Sequence, residues 1–171
     1  MQTQKIQLVI FSLDQLEFGV PVEQVWRVES MAEQTVTRVP RAPAFLEGVV
    51  NVRGQIIPAL DLKKRFELGA SQHRPRARLL IVHMQDQRVG LIVDTVSDIA
   101  LIPSAQVEPP PPMVAQISGV FVQGVARQDQ RLLIILNLNE TLDPRERQAL
   151  KELGQSSSTA QGTSHHASPA G

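Results

Sequence analysis

Cysteine and tyrosine are absent from this chain of 171 residues, and its aromatic side chains amount to one tryptophan and five phenylalanines. The lack of cysteine excludes disulfides, thiol catalysis and cysteine-ligated metal sites. The scarcity of aromatic residues argues against a module that stacks on nucleic-acid bases, because such modules expose aromatic side chains along a basic stripe. A nucleic-acid-binding β-barrel module is therefore only a remote alternative.

An excess of charge of either sign is also missing. The chain carries 17 Lys and Arg residues and 17 Asp and Glu residues, which gives a formal net charge of zero. Nothing steers the chain as a whole toward nucleic acid or an anionic membrane surface. One local basic run, which contains His73, Arg74, Arg76 and Arg78 around Pro75, is interpreted as a solvated linker.

Long apolar runs are lacking as well. No run approaches the roughly 20 apolar residues that a membrane-spanning helix needs. The first residues, MQTQKIQLVIF, lack the basic region, the long apolar region and the cleavage site of a secretory signal. We therefore expect a cytoplasmic protein without direct membrane insertion.

The motifs of common catalytic sites do not occur in the sequence. It contains no nucleophile elbow, no zinc-protease motif, no glycine-rich phosphate loop and no cluster of carboxylates. Asp61 and Asp94 each end or follow an apolar strand, where a carboxylate more commonly accepts amide hydrogens of a turn than acts as an acid or base. His83 has no evident partner, and the pair His165-His166 lies in a polar tail. We predict no enzyme activity, no cofactor and no metal site.

The most informative segment that is present reads GVVNVRGQIIPALDL, from Gly48 to Leu62. Two apolar runs rich in β-branched residues flank the pair Arg53-Gly54, which predicts a strand, a tight turn and a second strand. Arg53 is thereby placed at the turn with its guanidinium in solvent. By itself this pattern also fits an ordinary hairpin whose arginine only aids solubility.

The chain contains two copies of one pattern. A shift of 71 positions lays Leu8–Val28 on Leu79–Ile99 without a gap. The same shift lays the run that begins at Gly48 on the run that begins at Gly119, after which the second copy needs about five extra residues in its turn. The pattern predicts an internal duplication of a unit of about 70 residues.

Each copy reads as several short strands separated by polar turns, which predicts an all-β fold. We expect one domain over residues 1–153, in which the repeats at about 8–70 and 79–142 each form a five-stranded β-barrel subdomain. One such barrel has a small core, so the two are expected to pack on each other. The seam between them would then be a groove for a ligand or a partner helix.

The C-terminal end divides into a helix and a tail. Asp143, Pro144 and Glu146 have the spacing of a capping box with proline at the first helical position, which predicts a short helix over about 144–153. Gly154 is expected to end it. Residues 154–171 have almost no apolar content and are predicted to be disordered.

Two segments resemble the signature of a known family. The motif NVRGQIIPALDL at Asn51–Leu62, preceded by PAFLEGVV at Pro43–Val50, is similar to that of the CheW family of chemotaxis coupling proteins. In the second copy, VGLIVDTV at Val89–Val96 resembles the family's glycine, apolar run and Val-Asp-x-Val segment. The resemblance extends over almost the whole chain apart from its tail.

The resemblance implies two SH3-like β-barrels around a shared seam, without catalytic activity. It implies a scaffold that couples chemoreceptors of the methyl-accepting type to a CheA-type histidine kinase. The protein would bind the coiled-coil tip of the receptor and the CheW-like regulatory domain of the kinase. It would be a monomer alone, and it would join membrane receptor arrays through its partners, where a lattice strengthens modest contacts.

Carried over position by position, the partner contacts of the family fall first on apolar residues and a glycine. Val25, Val28 and Ile99 would form a wall for a receptor helix, although ordinary core packing explains each of them equally well. Gly48 would leave room for the close approach of that helix.

The remaining implied contacts are polar. Arg53, in the motif that Asn51 begins, would present a rigid fork of donors to a carboxylate or a carbonyl. Family members often read Glu, apolar, Arg where this chain reads Arg27-Val28-Glu29, so the order of charges is reversed. Residues two apart in a strand share a face, and we hypothesise that the partners carry the complementary exchange.

Two other functions remain open at the level of sequence. The same fold could couple a kinase array that controls pilus-driven motility or phototaxis. A small-molecule-binding domain would require a closed apolar cavity, which the sequence does not predict.

Overall fold

A computed structural model describes residues 4–68, 75–112, 114 and 122–153. These residues form eleven strands and three short α-helices. The strands are β1 Lys5–Leu13, β2 Leu16–Pro21, β3 Val25–Ser30, β4 Leu46–Val52, β5 Gln55–Asp61, β6 Arg78–Met84, β7 Gln87–Val93, β8 Thr95–Pro103, β9 Val107–Glu108, β10 Val122–Gln128 and β11 Arg131–Leu136. The helices are α1 Leu62–Arg65, α2 Leu138–Thr141 and α3 at residues 144–153.

The strands form two sheets, which confirms the predicted all-β fold. The six-stranded sheet, here called barrel A, has the order β8-β1-β2-β11-β10-β9. The five-stranded sheet, called barrel B, has the order β3-β6-β7-β5-β4. The two-residue strand β9 accounts for the sixth strand of barrel A.

The two sequence repeats exchange their first hairpins. Strands β1 and β2 of the first repeat lie in barrel A with β8 to β11, whereas β6 and β7 of the second repeat lie in barrel B with β3 to β5. The parallel pairs β2–β11 and β5–β7 join the two repeats within each sheet. This corrects the expectation that each repeat forms a barrel of its own, because apolar periodicity predicts strands but not their neighbours.

Three groups of buried residues hold the barrels together. Leu8 and Ile10 belong to a cluster within barrel A, and Ile57 and Ile81 belong to a cluster within barrel B. A third and larger cluster, here called the seam core, combines residues of both barrels. Its members include Phe11, Phe18, Leu60, Phe66, Leu80 and Val82. Each fully buried side chain of this size is worth about 1.5–3 kcal/mol, so separating the barrels would be costly.

The internal repeat is visible in the packing. A side chain added at Gly19 would bring its Cβ 3.0 Å from Cδ1 of Leu8, and one added at Gly90 would bring its Cβ 2.6 Å from Cδ1 of Leu79. Gly19 and Gly90 are separated by the same 71 positions as Leu8 and Leu79. Each glycine therefore admits the equivalent leucine of the neighbouring strand.

The extra residues of the second repeat lie outside the turn, contrary to the prediction. Both late hairpins turn over two residues of positive φ, which are 51° and 83° at Arg53-Gly54 and 48° and 66° at Asp129-Gln130. Each hairpin also has a register irregularity at a glycine, Gly48 or Gly124. Gly48 therefore corresponds to Gly124, and the extra residues precede β10. The second turn contains no glycine, so its sequence lacks the usual signal of a two-residue hairpin turn.

The capping box of α3 is confirmed. The amide of Glu146 donates to Oδ1 of Asp143 at 2.8 Å, and the amide of Asp143 donates to Oε1 of Glu146 at 2.9 Å. The predicted stop at Gly154, the tail at 154–171, and His73 and Arg74 of the basic run lie outside the described residues.

Candidate partner-binding surface

Strands β3 and β8 are edge strands that border the same seam. In barrel B, Val28 of β3 pairs with Leu80 of β6, and in barrel A, Ile99 of β8 pairs with Val9 of β1. Leu80 and Val9 both belong to the seam core. Strand β6, which neighbours β3 in its sheet, also contacts β8 of the other barrel. Val28 and Ile99 therefore extend the seam core to the surface from opposite barrels.

The apolar residues of these edge strands differ in exposure. Val28 is 42% exposed and Ile99 is 59% exposed, so core packing does not explain either residue. Val25 is partly buried and packs against the seam core. Leu101 is 48% exposed and lies two residues beyond Ile99 on the same side of β8. Leu101 was not predicted from the sequence, although the two-residue period of a strand indicates that it shares a face with Ile99.

Arg27 and Glu29 form an ion pair on β3. Nε of Arg27 donates to Oε1 of Glu29 at 2.7 Å, and both side chains are partly buried. They pair with Ile81 and Leu79 of β6, whereas Val28 between them pairs with Leu80. The two charges therefore lie on the opposite side of β3 from Val28 and largely neutralise each other.

Trp26 lies at a bulge of β3 and contacts two arginines. The register of β3 on β6 shifts between Val25 and Arg27, which leaves Trp26 unpaired. The guanidinium carbon of Arg88 lies 3.8 Å from the centroid of the Trp26 ring, and that of Arg27 lies 5.7 Å from it. Neither Trp26 nor Arg88 was predicted from the sequence, because neither residue belongs to a motif and the bulge has no sequence signal.

Gly48 is buried against its own chain. A Cβ at this position would overlap the backbone oxygen of Thr37 and would lie 2.8 Å from Cγ1 of Val36. Thr37 forms an isolated antiparallel bridge with Val49 at this point. Close packing within the chain is therefore enough to explain the glycine, without a partner helix.

Arg53 lies at the exposed tip of the β4–β5 hairpin, as the sequence predicted. Its φ of 51° is in the left-handed region, which glycine and asparagine adopt more readily than arginine. The side chain of Asn51 supports the turn, since its Oδ1 accepts a hydrogen bond from the amide of Gly54 at 3.0 Å. The hairpin therefore presents Arg53 on a braced turn at the opposite edge of barrel B from β3.

The two strand-end carboxylates have structural partners. Oδ1 of Asp61 accepts hydrogen bonds from the amides of Lys63 and Lys64 at 2.9 and 3.3 Å and caps α1, which confirms the expectation for this residue. Oδ2 of Asp94 accepts from the amide of Asp14 at 2.7 Å and lies 3.7 Å from the buried ammonium of Lys63. Both carboxylates are therefore engaged in holding the fold.

Neither a cluster of metal ligands nor a membrane span is found in the part of the chain that the structure describes. Over these residues, no group of three or more His, Cys, Asp or Glu side chains could hold a metal ion. The helices within the same ranges are too short or too polar to cross a bilayer.

An ion pair links the two repeats within barrel A. Arg131 of β11 donates from Nε to Oε1 of Glu17 of β2 at 3.0 Å, and its Nη2 contacts the second carboxylate oxygen. These hydrogen bonds hold the pKa of Glu17 below its usual value of 4.5 and raise the pKa of Arg131. The pair fixes the parallel strands β2 and β11 side by side.

Comparison with known proteins places these features in a family. The family model of the CheW-like domain matches residues 7–146. Chemotaxis protein CheW of Bacillus subtilis (strain 168) is 32% identical over 136 residues, which cover 80% of this chain and 86% of that protein. Protein FrzA of Myxococcus xanthus is 31% identical over 142 residues, which cover 82% of this chain and 87% of that protein.

A solved structure agrees with these matches. The crystal structure of scaffolding protein TtCheW from Thermoanaerobacter tengcongensis superposes with a TM-score of 0.76 at 36% sequence identity. The match covers 84% of this chain and 97% of that one. The family model spans most of the sequence, and the relatives are matched over most of their own length. On sequence and fold together, this chain belongs to the CheW-like domain family.

Proposed function

We propose that this protein is a non-catalytic adaptor that couples chemoreceptors to a CheA-type histidine kinase in chemotaxis-like signalling. The observation that carries the proposal is the exposure of Val28 and Ile99 on the two edge strands that border the seam. Adaptor function requires surfaces for partners rather than a reactive centre. The engagement of Asp61 and Asp94 in a helix cap and an ion pair supports a role without catalysis.

The seam is the proposed site for the receptor. Val28 from barrel B and Ile99 from barrel A continue the seam core outward, and Leu101 extends the apolar strip along β8. An amphipathic helix binds such a surface through an apolar stripe, with residues spaced three and four apart. The coiled-coil tip of a receptor supplies a helix of this kind.

Arg53 is the proposed contact for the regulatory domain of the kinase. It lies at the tip of a hairpin whose turn is braced by Asn51, so less side-chain and loop entropy is lost when it binds. Its guanidinium can pair with a carboxylate or with backbone carbonyls of the kinase. A single contact of this kind is modest, and repetition within an array would supply the avidity.

The proposed cellular location and assembly state follow from the proposed partners. The protein works in the cytoplasm, is a monomer when isolated, and joins membrane receptor arrays only through the receptor and the kinase. It needs no cofactor, and its formal net charge of zero supports a role without nucleic acid.

Reconstitution of receptor, kinase and this protein from one organism tests the proposal. The readout is receptor-dependent kinase autophosphorylation, together with direct binding of the protein to each partner. Val28→Asp and Ile99→Asp should each lower receptor binding about tenfold or more, because a charge would be buried against an apolar helix. Arg53→Glu should lower kinase binding by a similar factor.

Leu132→Asp is the matched control for the seam variants. Leu132 is 39% exposed and lies on β11, which is separated from β8 by β1 and β2. This variant should couple receptor and kinase as well as the unmodified protein does. Equal loss in the control and the seam variants, or full coupling by all of them, would show that the seam is not the receptor site.

A further inference from the structure

The internal repeat reveals two equivalent polar pairs of different charge. Glu17 of β2 and Arg88 of β7 are 71 positions apart, and they pair with the equivalent residues Ser12 and His83 of the preceding strand. Their partners are Arg131 and Gln55, the first residues of β11 and β5. The two sites are therefore the same place in barrel A and in barrel B.

The arginine in barrel A hydrogen-bonds a carboxylate, whereas the arginine in barrel B hydrogen-bonds a neutral amide. Arg131 is paired with Glu17. Arg88 donates from Nη1 to the neutral Oε1 of Gln55 at 2.6 Å, and among the described residues no carboxylate lies within ion-pair distance of its guanidinium. Within the described ranges, barrel B thus has an arginine hydrogen-bonded to a neutral amide at a position where barrel A has an internal ion pair.

The guanidinium of Arg88 is held in place before any ligand arrives. It stacks on the ring of Trp26 with 3.8 Å between the guanidinium carbon and the ring centroid. Such stacking is favourable because the ring face is electronegative, and it leaves the edge donors of the guanidinium available. An arginine fixed in this way loses less entropy on binding than a mobile surface arginine.

The site opens into a pocket of about 620 Å³. Arg88 and Gln55 line the pocket together with the partly buried Ile56 and with the ion pair of Lys151 and Asp86. An anionic group at Arg88 would therefore have the apolar side chain of Ile56 beside it. Arg53, two residues before Gln55, is exposed and adds positive potential at the same end of the barrel.

We propose that Arg88 binds the carboxylate of an acidic side chain on a partner polypeptide, with the neighbouring apolar residue of that partner on Ile56. The guanidinium can donate two parallel hydrogen bonds to the carboxylate, as Arg131 does to Glu17. The apolar surface of Ile56 next to Arg88 favours an acidic segment of a polypeptide over a free small anion. The site is distinct from the exposed strip of Val28, Ile99 and Leu101, and it adjoins the hairpin that carries Arg53.

Trp26 is the only tryptophan of the chain and reports directly on this site. The full-length protein is titrated with the blocked tripeptide acetyl-Ala-Glu-Leu-amide while tryptophan fluorescence is followed. The same peptide with Gln in place of Glu and sodium acetate are the controls. We expect the Glu peptide to half-saturate at a concentration at least about tenfold lower than either control, since one charge-assisted contact and an apolar contact distinguish them.

Three variants test whether the fluorescence response to the Glu peptide arises at Arg88. Arg88→Gln removes the cation and should abolish the difference between the Glu and Gln peptides. Gln55→Glu keeps Arg88 but supplies an internal carboxylate, so it should block the Glu peptide in the same way. Arg131→Gln, at the equivalent place in barrel A, should leave the response unchanged because that arginine is already paired.

The outcomes distinguish binding of an acidic polypeptide at Arg88 from no binding and from binding of a small anion. Equal responses to the Glu and Gln peptides, no response to either, or a response that persists in both Arg88→Gln and Gln55→Glu would overturn it. A response to acetate as strong as that to the Glu peptide would identify a small-anion site and would also overturn the docking of a polypeptide.

Discussion

Arg27 and Glu29 form a hydrogen-bonded ion pair on one side of β3, with 2.7 Å between Nε and Oε1, while Val28 between them faces the other side. The pair leaves the strand electrically neutral close to the proposed receptor site. A neutral pair adds little net attraction to a partner, but the order of its two charges can still favour one arrangement of partner charges over the reverse.

The exchange of these two charges is predicted to change partner choice and not stability. The double variant Arg27→Glu with Glu29→Arg keeps an ion pair on the same strand, so the free energy of unfolding should change by less than about 0.5 kcal/mol. Its affinity for its own kinase and receptor should fall, and its affinity for a paralogous kinase with the opposite charge order should rise. Unchanged affinity for both kinases, measured by calorimetry, would reject a role in specificity.

Gly48→Ala is predicted to destabilise the fold by about 2 kcal/mol or more, because the new Cβ would overlap the backbone of Thr37. Gly19→Ala is the matched control, since its Cβ would meet side-chain atoms of Leu8 and Ile10 at 3.0 Å or more, which can shift more easily than backbone, and the change should cost less. Urea unfolding measures both values. If Gly48→Ala were as stable as the unmodified protein and lost only receptor affinity, the glycine would be needed for receptor binding and not for packing within the chain.

The sequence predicted the features that depend on local pattern. The hairpin around Arg53, the capping box of Asp143 and Glu146, and the acceptance of backbone amides by Asp61 are each specified by residues close together in the chain. The duplication was visible because an apolar strand pattern repeats at a constant spacing. Gly19 and Gly90 show why the spacing persists, since each must admit a leucine from the adjacent strand.

The features that depend on distant residues were not predicted. The exchange of hairpins between barrels rests on the parallel pairing of β2 with β11 and of β5 with β7, and parallel neighbours leave no mark on local periodicity. The stacking of Arg88 on Trp26 depends on a bulge in β3, which carries Trp26, and on the position of β7, which carries Arg88. The exposure of Val28 and Ile99 follows from their position on edge strands, which only the strand order reveals.

The contribution of Glu17 to stability is predicted to depend on pH. Its pKa lies below the usual value of 4.5 in the folded protein because Arg131 hydrogen-bonds its carboxylate. A lowered pKa stabilises the fold at pH values above 4.5, and this stabilisation is lost as the pH falls through the folded-state pKa. The side chains are partly exposed, so the effect should be below about 1 kcal/mol.

Glu17→Gln tests this dependence. The variant should be less stable than the unmodified protein at pH 7, and the difference should shrink when unfolding is measured below pH 4. Glu152→Gln, on the exposed side of α3, should show no such trend. A difference for Glu17→Gln that stays constant from pH 7 to pH 3 would contradict the role of the carboxylate charge.

Arg65 anchors helix α3 to the rest of the protein and is predicted to control its opening. Its Nη1 and Nη2 donate to the carboxylate of Glu146 at 3.2 and 2.8 Å, and its Nε donates to the backbone oxygen of Thr141 at 2.9 Å. The guanidinium also lies 4.8 Å from the ring centroid of Phe45. The same carboxylate caps α3 through the amide of Asp143, so the anchor and the cap depend on one side chain.

Arg65→Met keeps an apolar side chain of similar length and leaves the capping box intact, but it removes the guanidinium. We expect a loss of about 1–3 kcal/mol in stability, with faster amide hydrogen exchange over residues 144–153 because that helix would open without global unfolding. Arg145→Met, an exposed position of the same helix, should leave exchange unchanged. Equal exchange rates in Arg65→Met and the unmodified protein would show that the apolar contacts of Leu150 hold α3 without the ion pair, since Leu150 belongs to the seam core.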